Sequence, residues 1–423
     1  MIQLLVIADV FTGALDTGIQ FRGEGTVLRF GCQENYFDGL DESTDVLIID
    51  AETRHLPPAQ AADVVGGIVA EAARRGVGCI YRKTGSGLRG NIGSELTAAL
   101  ENAGGKALHF VPAFPRLERI TRDGIHYIKG QPVAESVFGK DPFEPVRYSD
   151  VRQIIASQTQ VPATVVKAPA QDAEGILVYD AATQADVEAI AKALKEMDSL
   201  HLLAGCAGFA SALAEPLGLK KKPMPVPELA PRLLTICGSV NAITLEQMDT
   251  AEVCGVPRVR LSVPQKLNDG WIGRPDFEET LNAWLARING SGSTIIECDG
   301  LGNLEELEQC RKKLGMDQEA MRRQISRTMG TILKGLLDKG AQATMLVTGG
   351  DTLMAFMELA GVNEMLPICE FTPGVVLAQI RYRGNVYHIL SKSGGFGDRE
   401  LLLELEKQIT GTVPDGYKEE NYA

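Results

Sequence analysis

Short apolar runs alternate with longer amphipathic stretches along the first half of the chain. The runs at Leu4–Ala8, 45–50 and 78–81 are short and mostly apolar, which is typical of buried strands. Residues 58–75 carry apolar side chains at helical spacing and predict an amphipathic helix between two of these strands. Repeated strand–loop–helix units predict an α/β fold with a mostly parallel sheet and helices on both faces. The next predicted elements are a helix at 92–103, a strand at 108–111, a helix at 182–196 and a strand at 201–204.

The pattern breaks at residues 219–232. A lysine cluster is followed there by three closely spaced prolines, and such a run can neither continue a helix nor pair in a central strand. We therefore predict a linker at 223–232 between an N-terminal domain at 1–222 and a C-terminal domain at 233–423. The elements predicted in the second domain are strands at 233–237, 294–297, 344–347 and 386–390 and a helical stretch at 304–338 with a break near Gly315.

Composition agrees with two domains and narrows the classes of function. A chain of 423 residues is too long for one ordinary core, and 44% hydrophobic residues suffice for a core in each domain. The net charge of −13 and the lack of a long basic run argue against nucleic acid and anionic membrane as partners. The eight cysteines and five histidines show no metal-type spacing, so we expect reduced thiols and no structural metal site. Neither a leader peptide nor a membrane-length apolar run is visible, so we expect a soluble, cytoplasmic protein.

The predicted strands open into loops rich in Gly, Ser, Thr and charge, where open parallel sheets bind their ligands. The first such loop, at 9–18, contains Asp9 directly after a strand, then Thr12, and Asp16 near the start of the following helix. Either carboxylate can accept a hydroxyl proton or hold a sugar hydroxyl. The same residues equally allow Asp9 as a turn former and Asp16 as a helix N-cap, and spacing alone does not decide.

A second loop, at 83–93, combines cations with glycines and predicts an anion site. Its candidate ligand-binding side chains are those of Lys83, Ser86, Arg89 and Asn91. An Arg side chain can clamp a carboxylate with two parallel hydrogen bonds, and glycine permits close approach of a ligand. A flexible basic surface turn is the alternative, which the density of glycines makes less favourable.

The predicted C-terminal domain has three glycine-rich turns after strands, at 237–241, 348–352 and 391–398. Backbone N–H groups in such turns bind phosphates, helped by a helix N-terminus. Each turn alone is weak evidence, but three of them in one domain favour a nucleotide site. The sequence has no Gly-x-x-x-x-Gly-Lys-Ser/Thr and no Gly-x-Gly-x-x-Gly after the first strand, which argues against a P-loop enzyme and a dinucleotide-binding oxidoreductase.

Taken in order, these segments resemble those of the four-carbon acid sugar kinases, which include D-threonate, D-erythronate and 3-oxo-tetronate kinases. The resemblance spans essentially the whole chain and also covers 134–142 and 204–208. It implies an acid-sugar-binding N-terminal domain, an ATP-binding C-terminal domain, and phosphorylation of a terminal hydroxyl in the cleft between them. Mg²⁺ is expected with the ATP, but the sequence does not name its ligands.

The resemblance also assigns residues by motif. Asp9 and Asp16 become the candidates for orienting or deprotonating the attacking hydroxyl. The residues expected to bind the acid sugar are Thr12, Lys83, Ser86, Arg89 and Asn91. The residues expected to contact ATP are Ser239, Gly349, Gly350, Asp351, Thr352 and Gly395.

The sugar-side loops depart from the family pattern, whereas the ATP-side loops keep their form. The family's first loop is usually Ala-Asp-Asp-Leu-Thr-Gly-Ala, and here Val10 replaces the second Asp. The second is usually Lys-Thr-Asp-Ser-Thr-Leu-Arg-Gly-Asn, and here Gly85 and Gly87 replace the Asp and the second Thr. A Gly-Arg-Thr-Thr segment is replaced by Glu-Arg-Ile-Thr at 118–121. Because the two glycines remove side chains, we expect an opened pocket for a bulkier or less hydroxylated acid, or else impaired catalysis.

Two functions from different classes fit these observations. One is an ATP-dependent acid sugar kinase, and the other is a nucleotide- or metabolite-binding regulator of the same fold that has lost transfer activity. ATP consumption with a panel of C3–C6 sugar acids discriminates between them. The sequence is compatible with a homodimer, but it determines neither the oligomeric state nor the identity of the acid.

Overall fold

The computed structural model describes residues 2–22, 26–29, 36–40, 42–141, 144–169, 173–219, 225–239, 241–268, 270–290, 292–298, 304–392 and 396–411. The chain divides into two compact units, Met1–Met224 and Pro225–Ala423. The predicted two-domain α/β architecture is confirmed, while the linker bounds at 223–232 stay a prediction. Within the described ranges, no helix is both long and apolar enough to cross a membrane.

The first unit is built around a parallel sheet. Its strands are β1 (Leu4–Ala8), β2 (Thr26–Arg29), β3 (Val46–Asp50), β4 (Cys79–Lys83), β5 (Ala107–Val111), β6 (Arg119–Arg122), β7 (Ile125–Ile128), β8 (Gln131–Pro132), β9 (Ala163–Val166), β10 (Gly175–Tyr179) and β11 (Leu202–Gly205). The main sheet has the order β2-β3-β1-β4-β11-β5-β10-β9, and every neighbouring pair in it is parallel. Strands β6, β7 and β8 form a separate antiparallel sheet.

Helices cover this sheet because its central strands are apolar on both faces. They are α1 (Phe11–Gly18), α2 (Pro58–Arg74), α3 (Ile92–Asn102), α4 (Val151–Ala156), α5 (Gln184–Glu196) and α6 (Ala207–Ala210). Alternate strand residues point to opposite faces, and Leu5 and Ile7 share one core cluster with Val65 of α2 and Leu96 of α3. The carboxyl ends of β1, β3 and β4 therefore emerge side by side from a fully packed layer.

The second unit combines parallel strands with an antiparallel edge. Its strands are β12 (Leu233–Cys237), β13 (Arg258–Arg260), β14 (Ser293–Glu297), β15 (Thr344–Thr348), β16 (Glu364–Thr372), β17 (Val375–Tyr382) and β18 (Asn385–Lys392). The order is β13-β14-β12-β15-β18-β17-β16, parallel as far as β18 and antiparallel beyond it. Its helices are α7 (Ala242–Val253), α8 (Val263–Lys266), α9 (Pro275–Gly290), α10 (Leu304–Lys313), α11 (Gln318–Asp338), α12 (Gly350–Ala360) and α13 (Leu401–Thr410).

The predicted elements are present, and their bounds differ for local reasons. The break near Gly315 is confirmed, since this glycine has a φ of +65° between α10 and α11. The helix predicted from 182 begins at Gln184, because Thr183 and Asp186 form a capping box. The prediction of a loop at 9–18 is wrong, because α1 already begins at Phe11. The antiparallel strands β6–β8, β16 and β17 were not predicted.

Candidate active site

Asp9 forms a buried ion pair at the carboxyl end of β1. Arg54, in the loop after β3, donates through Nε to Asp9 Oδ2 at 2.7 Å, and Asp9 is only 3% exposed. Burial by itself would raise the pKa of Asp9, but the charges of Arg54, Lys83 and Arg82 outweigh it and hold this pKa at about 2. Asp9 is therefore ionised at neutral pH and is a weak proton acceptor. Arg54 was not among the predicted site residues, although it also follows the end of a predicted strand.

Glu52 caps α1 from the neighbouring strand end. Its Oε1 accepts a hydrogen bond from the backbone N–H of Phe11 at 3.3 Å, whereas Val10 at the N-cap position makes no side-chain cap. Burial and the nearby Glu52 carboxylate raise the pKa of Asp50 well above its usual value. A carboxylate thus stands at the N-terminus of α1, where the helix dipole favours it, despite the Val10 replacement.

Asp16 lies in the interior of α1, so its interpretation as a helix N-cap is wrong. Thr12 is four residues earlier and shares its helix face, and both side chains are partly exposed on a largely buried helix. Burial lowers the pKa of Arg119, and the neighbouring Cys206 thiol and Asp16 carboxylate oppose this shift. The face of α1 that carries Thr12 and Asp16 is therefore near Arg119.

Lys83 is buried at the end of β4, against α1. A Cβ added at Gly13 would lie 2.3 Å from Lys83 Nζ, so the glycine leaves room for the ammonium group. Burial lowers the pKa of Lys83, and the carboxylates of Asp9 and Asp16 oppose this shift. The structure thus brings the predicted residues Asp9, Asp16 and Lys83 together.

Arg89 and Asn91 have protein partners in the second loop. Arg89 Nη1 donates to Asp141 Oδ2 at 2.7 Å, and its guanidinium lies 5.4 Å from the centre of the Phe138 ring. The Asn91 side-chain amide donates to the backbone carbonyls of Thr53 and Leu56, each at 2.9 Å. Asn91 therefore joins two loops, while Arg89 is held by a carboxylate that a ligand would have to share or replace.

Ser86 lies at the centre of a polar cluster that also contains Arg119. Arg119 Nη1 donates to the Ser86 hydroxyl, and its guanidinium lies 5.2 Å from the centre of the Phe138 ring. Burial lowers the pKa of His126 to about 4, so His126 is neutral at pH 7. Its Nε2 donates to the Ser86 carbonyl at 2.9 Å, and its Nδ1 accepts from the Thr121 hydroxyl at 3.0 Å. Arg119 was not among the predicted site residues, although it lies in the segment at 118–121 that departs from the family pattern.

Gly85 and Gly87, which stand where the family pattern has Asp and Thr, do not open the candidate acid-sugar pocket, contrary to the expectation from sequence. A Cβ added at Gly87 would lie 2.8 Å from the Phe138 ring, which already occupies that space. A Cβ added at Gly85 would lie 3.2 Å from Arg54 Nη2. Side chains distant in sequence therefore occupy the volume that the two glycines release.

In the second unit, the turns after β12 and β15 meet at the start of α12. Gly349 has a φ of +95°, and a Cβ added there would lie 3.5 Å from the backbone N of Ser239. A Cβ added at Gly238 would lie 1.9 Å from Thr352 Oγ1, so only glycine lets the two turns pack this closely. Thr352 Oγ1 is buried and has no hydrogen-bond partner among the described residues. The predicted residues Ser239, Gly349, Gly350 and Thr352 thus lie together.

Asp351 lies in the first turn of α12, with its carboxylate 3.5 Å from Arg322 Nε. Gly395 falls outside the described residues, so its predicted role stays a prediction. The described part of the chain contains no group of three or more His, Cys, Asp or Glu arranged to hold a metal ion. A Mg²⁺ ion that binds mainly through phosphates needs only one or two carboxylates, and Asp351 can supply one.

Comparison with known proteins assigns both units. Residues 4–213 match the family described as sugar-binding N-terminal domain, and residues 234–402 match nucleotide-binding C-terminal domain. The chain is 26% identical over 421 residues to the D-threonate kinase of Salmonella typhimurium, covering 95% of this chain and 97% of the relative. This chain belongs to the four-carbon acid sugar kinase family.

Other members of the acid sugar kinase family match over similar lengths. The D-erythronate kinase of Heliobacterium modesticaldum is 26% identical over 432 residues, covering 95% of each chain. The 3-oxo-tetronate kinase of Pseudomonas fluorescens is also 26% identical over 432 residues, covering 96% of each chain. The matched relatives are thus named for three different acids.

Solved structures show the same fold. A protein from Salmonella typhimurium LT2 superposes with a TM-score of 0.74 at 20% identity, covering 97% of this chain and 100% of the other. A Haemophilus influenzae protein superposes with a TM-score of 0.67 at 20% identity, covering 96% and 100% of the two chains. At such identity the likeness establishes the shared fold.

Proposed function

We propose that this acid sugar kinase family member is an ATP-dependent kinase that phosphorylates the terminal hydroxyl of a small acid sugar of about four carbons. The observation that carries the proposal is the mixed charge cluster at the carboxyl end of the first sheet. In it, the cations Arg54, Lys83 and Arg119 stand among the carboxylates of Asp9 and Asp16. Cations suit a substrate carboxylate and carboxylates suit substrate hydroxyls, so the cluster is suited to a hydroxy acid.

The two candidate carboxylates suit different tasks. Asp9 is bonded to Arg54 and has a pKa of about 2, so it suits holding a hydroxyl better than taking its proton. Asp16 is partly exposed beside Lys83 and Arg119, so it can accept the proton of the attacking hydroxyl at a carboxylate oxygen. The cations then keep the acid in position, which supplies much of the catalysis in phosphoryl transfer.

The nucleotide fits the turns of the second unit. Backbone N–H groups at the start of α12 and after β12 suit phosphate oxygens, and the buried Thr352 hydroxyl has hydrogen-bonding capacity to spare. Ser239, Gly349, Gly350 and Thr352 would hold the phosphates, with Mg²⁺ beside Asp351. Mg²⁺, when bound, would neutralise part of the negative charge of the phosphates.

A coupled assay of ADP release tests this function with C3–C6 sugar acids and the corresponding neutral sugar alcohols. We expect at least one acid to be phosphorylated with kcat/KM of about 10⁴ M⁻¹s⁻¹ or more, and its alcohol to be turned over poorly. Asp16→Asn should lower kcat and leave ATP affinity unchanged. ATP binding without turnover of any acid would contradict the kinase proposal and favour the regulator.

We further propose that the acid is less hydroxylated than D-threonate or D-erythronate. The Phe138 ring presents apolar surface beside Gly87, where the family pattern has a threonine hydroxyl. Val10 likewise stands where the pattern has a carboxylate. A site that lacks partners for substrate hydroxyls disfavours acids that carry them.

A further inference from the structure

Lys392 is the last residue of β18, and its side chain is fully buried. The strand register sets Lys392 beside Thr348 and Thr348 beside Cys237, so the last residues of three parallel strands form one row. Thr348 directly precedes Gly349, and Cys237 begins the turn that contains Ser239. Lys392 therefore stands in the row from which the turns of the candidate nucleotide site begin.

Lys392 lies against the first turn of helix α7. Its Nζ donates to the Thr244 hydroxyl at 3.2 Å, and Thr244 lies in the first turn of the twelve-residue helix α7. Cys237, the member of this row on β12, also contacts the turn that follows it, since its thiol donates to the Ser239 carbonyl at 3.6 Å. A helix N-terminus carries partial positive charge, so an ammonium group beside it favours an anionic ligand.

We propose that Lys392 binds the terminal phosphates of the nucleotide and offsets the charge of the phosphoryl group during transfer. This inference rests on the proposed kinase function and adds a catalytic residue to it. The substrate hydroxyl oxygen bonds to the terminal phosphorus while the bond from that phosphorus to the bridging oxygen breaks. ADP leaves with the electron pair, and a carboxylate of the acid-sugar site takes the hydroxyl proton. Lys392 stays protonated, and its point charge complements the directional N–H groups of the glycine turns.

Titration of Lys392 offers a signal that a purely structural lysine would not produce. Burial lowers the pKa of Lys392 to about 8, and the Cys237 thiol from β12 opposes the shift. Burial raises the pKa of the Cys237 thiol, and the Glu297 carboxylate at the end of β14 also raises it. A phosphate bound beside the ammonium group raises the pKa of Lys392, so ATP binding near pH 8 takes up protons.

Calorimetry with ATP, ADP, AMP and adenosine provides the first test. Lys392→Met keeps the length of the side chain and removes its charge, and it should weaken ATP binding about tenfold or more while changing adenosine binding less than about twofold. Lys266→Met is the matched control, because Lys266 is a buried lysine of the same unit that ends α8. Equal losses for ATP and adenosine, or unchanged ATP affinity in folded Lys392→Met, would overturn the proposal.

Proton uptake provides a second test that needs no folded Met variant. ATP titrations of the unmodified protein at pH 8, in buffers of different ionisation enthalpy, should show uptake of up to about half a proton per ATP. Lys392→Arg stays charged and should abolish the uptake. ATP binding without uptake would overturn the role of Lys392 alone, whereas failure of the unmodified protein to bind any nucleotide would overturn the kinase function as well.

Discussion

Arginine side chains of the first unit are already oriented by carboxylates of the same unit. Arg54 pairs with Asp9 and Arg89 with Asp141, each at 2.7 Å. A paired guanidinium has a defined direction, so a ligand carboxylate meets a preorganised donor and must also compete with the resident carboxylate. At the residue scale, the loss of stability or affinity that a substitution causes therefore depends on the charged partner that remains without its ion pair.

Arg89 is predicted to recognise the substrate carboxylate. Arg89→Lys keeps the charge but loses the planar fork, so it should raise the KM for the acid about tenfold or more and leave the KM for ATP unchanged. Asp141→Asn is the matched control, since it removes the ion pair and keeps the guanidinium. If Asp141→Asn raises the KM as much as Arg89→Lys, Arg89 acts only through the loop that this pair holds.

Asp9→Asn should destabilise the protein at neutral pH by about 3–5 kcal/mol, because it leaves the Arg54 charge buried without its carboxylate. The pKa of about 2 in the folded state is below the ordinary value of 3.8. Asp9 therefore stabilises the fold above about pH 4, and this contribution is lost as the pH falls towards 2. Urea unfolding between pH 3 and pH 7 should show the difference between the two proteins shrinking at the acidic end.

The double variant Asp9→Asn, Arg54→Met supplies the control for that prediction. Removing both members of the pair leaves no charge without its partner, so the double variant should lose less stability than the sum of the two single variants. Strict additivity would show that the pair contributes nothing beyond its separate parts.

At the element scale, α1 connects the strand ends to the candidate substrate face. Glu52 caps the helix from the end of β3, and the helix lies against Lys83 from β4 at Gly13. Thr12 and Asp16 face outward from the same helix. A small shift of α1 would therefore move the candidate proton acceptor Asp16 relative to the Lys83 cation.

Gly13→Ala should lower kcat/KM for the acid about tenfold or more with little change in melting temperature. The added Cβ would lie 2.3 Å from Lys83 Nζ, and a flexible lysine end can move aside at low cost to folding but loses its position in the site. Gly67→Ala is the matched control in α2, where the added Cβ would meet nothing within 4 Å beyond the backbone of its own helix. This exposed helical site should gain about 0.5–1 kcal/mol and keep full activity.

Phe138 offers a test of substrate preference. Phe138→Ser replaces apolar ring surface by a hydroxyl, so it should raise kcat/KM for D-threonate or D-erythronate relative to the preferred acid of the unmodified protein. Phe138→Leu is the control, because it changes shape without adding a polar group. A kcat/KM above about 10⁴ M⁻¹s⁻¹ with either acid in the unmodified protein would contradict the altered preference.

At the scale of the whole molecule, the two units carry sites of different chemistry. The first has paired cations and carboxylates at its strand ends, whereas the second has glycine turns, helix N-termini and a buried lysine. Each set lies within a single unit and follows the ends of strands of that unit. We therefore predict that ATP binds in the absence of acid.

Calorimetry of the full chain checks this prediction. ATP affinity should change little when the acid is present, and Asp351→Ala should weaken Mg²⁺–ATP binding about tenfold by removing the carboxylate proposed to lie beside the metal. Glu358→Ala is the matched control, since Glu358 is an exposed carboxylate later in the same helix. Unchanged affinity in Asp351→Ala would remove Asp351 from the nucleotide site.

The sequence by itself determined the local features of the protein. Strand runs, helical spacing and the glycine at the α10–α11 break are set by neighbouring residues, and the ordered loops were enough to recognise the family. Parallel strands end at one edge of a sheet, and ligands bind there. Asp9, Lys83 and Ser239 lie at or just after the ends of predicted strands, so the sequence also indicated them as site residues. These features follow from the spacing of apolar residues, every two in a strand and every 3.6 in a helix, and from the backbone conformation that glycine permits.

Only the tertiary structure decided which side chains meet. Arg54 is 45 residues from Asp9, and Arg89 is 52 residues from Asp141, so no local pattern indicates either pair. Phe138 fills the space at Gly87 because the fold brings distant segments together, which reversed the expectation of an opened pocket. The effect of a substitution on a packed site depends on the neighbours that occupy its volume, and those neighbours are set by the fold.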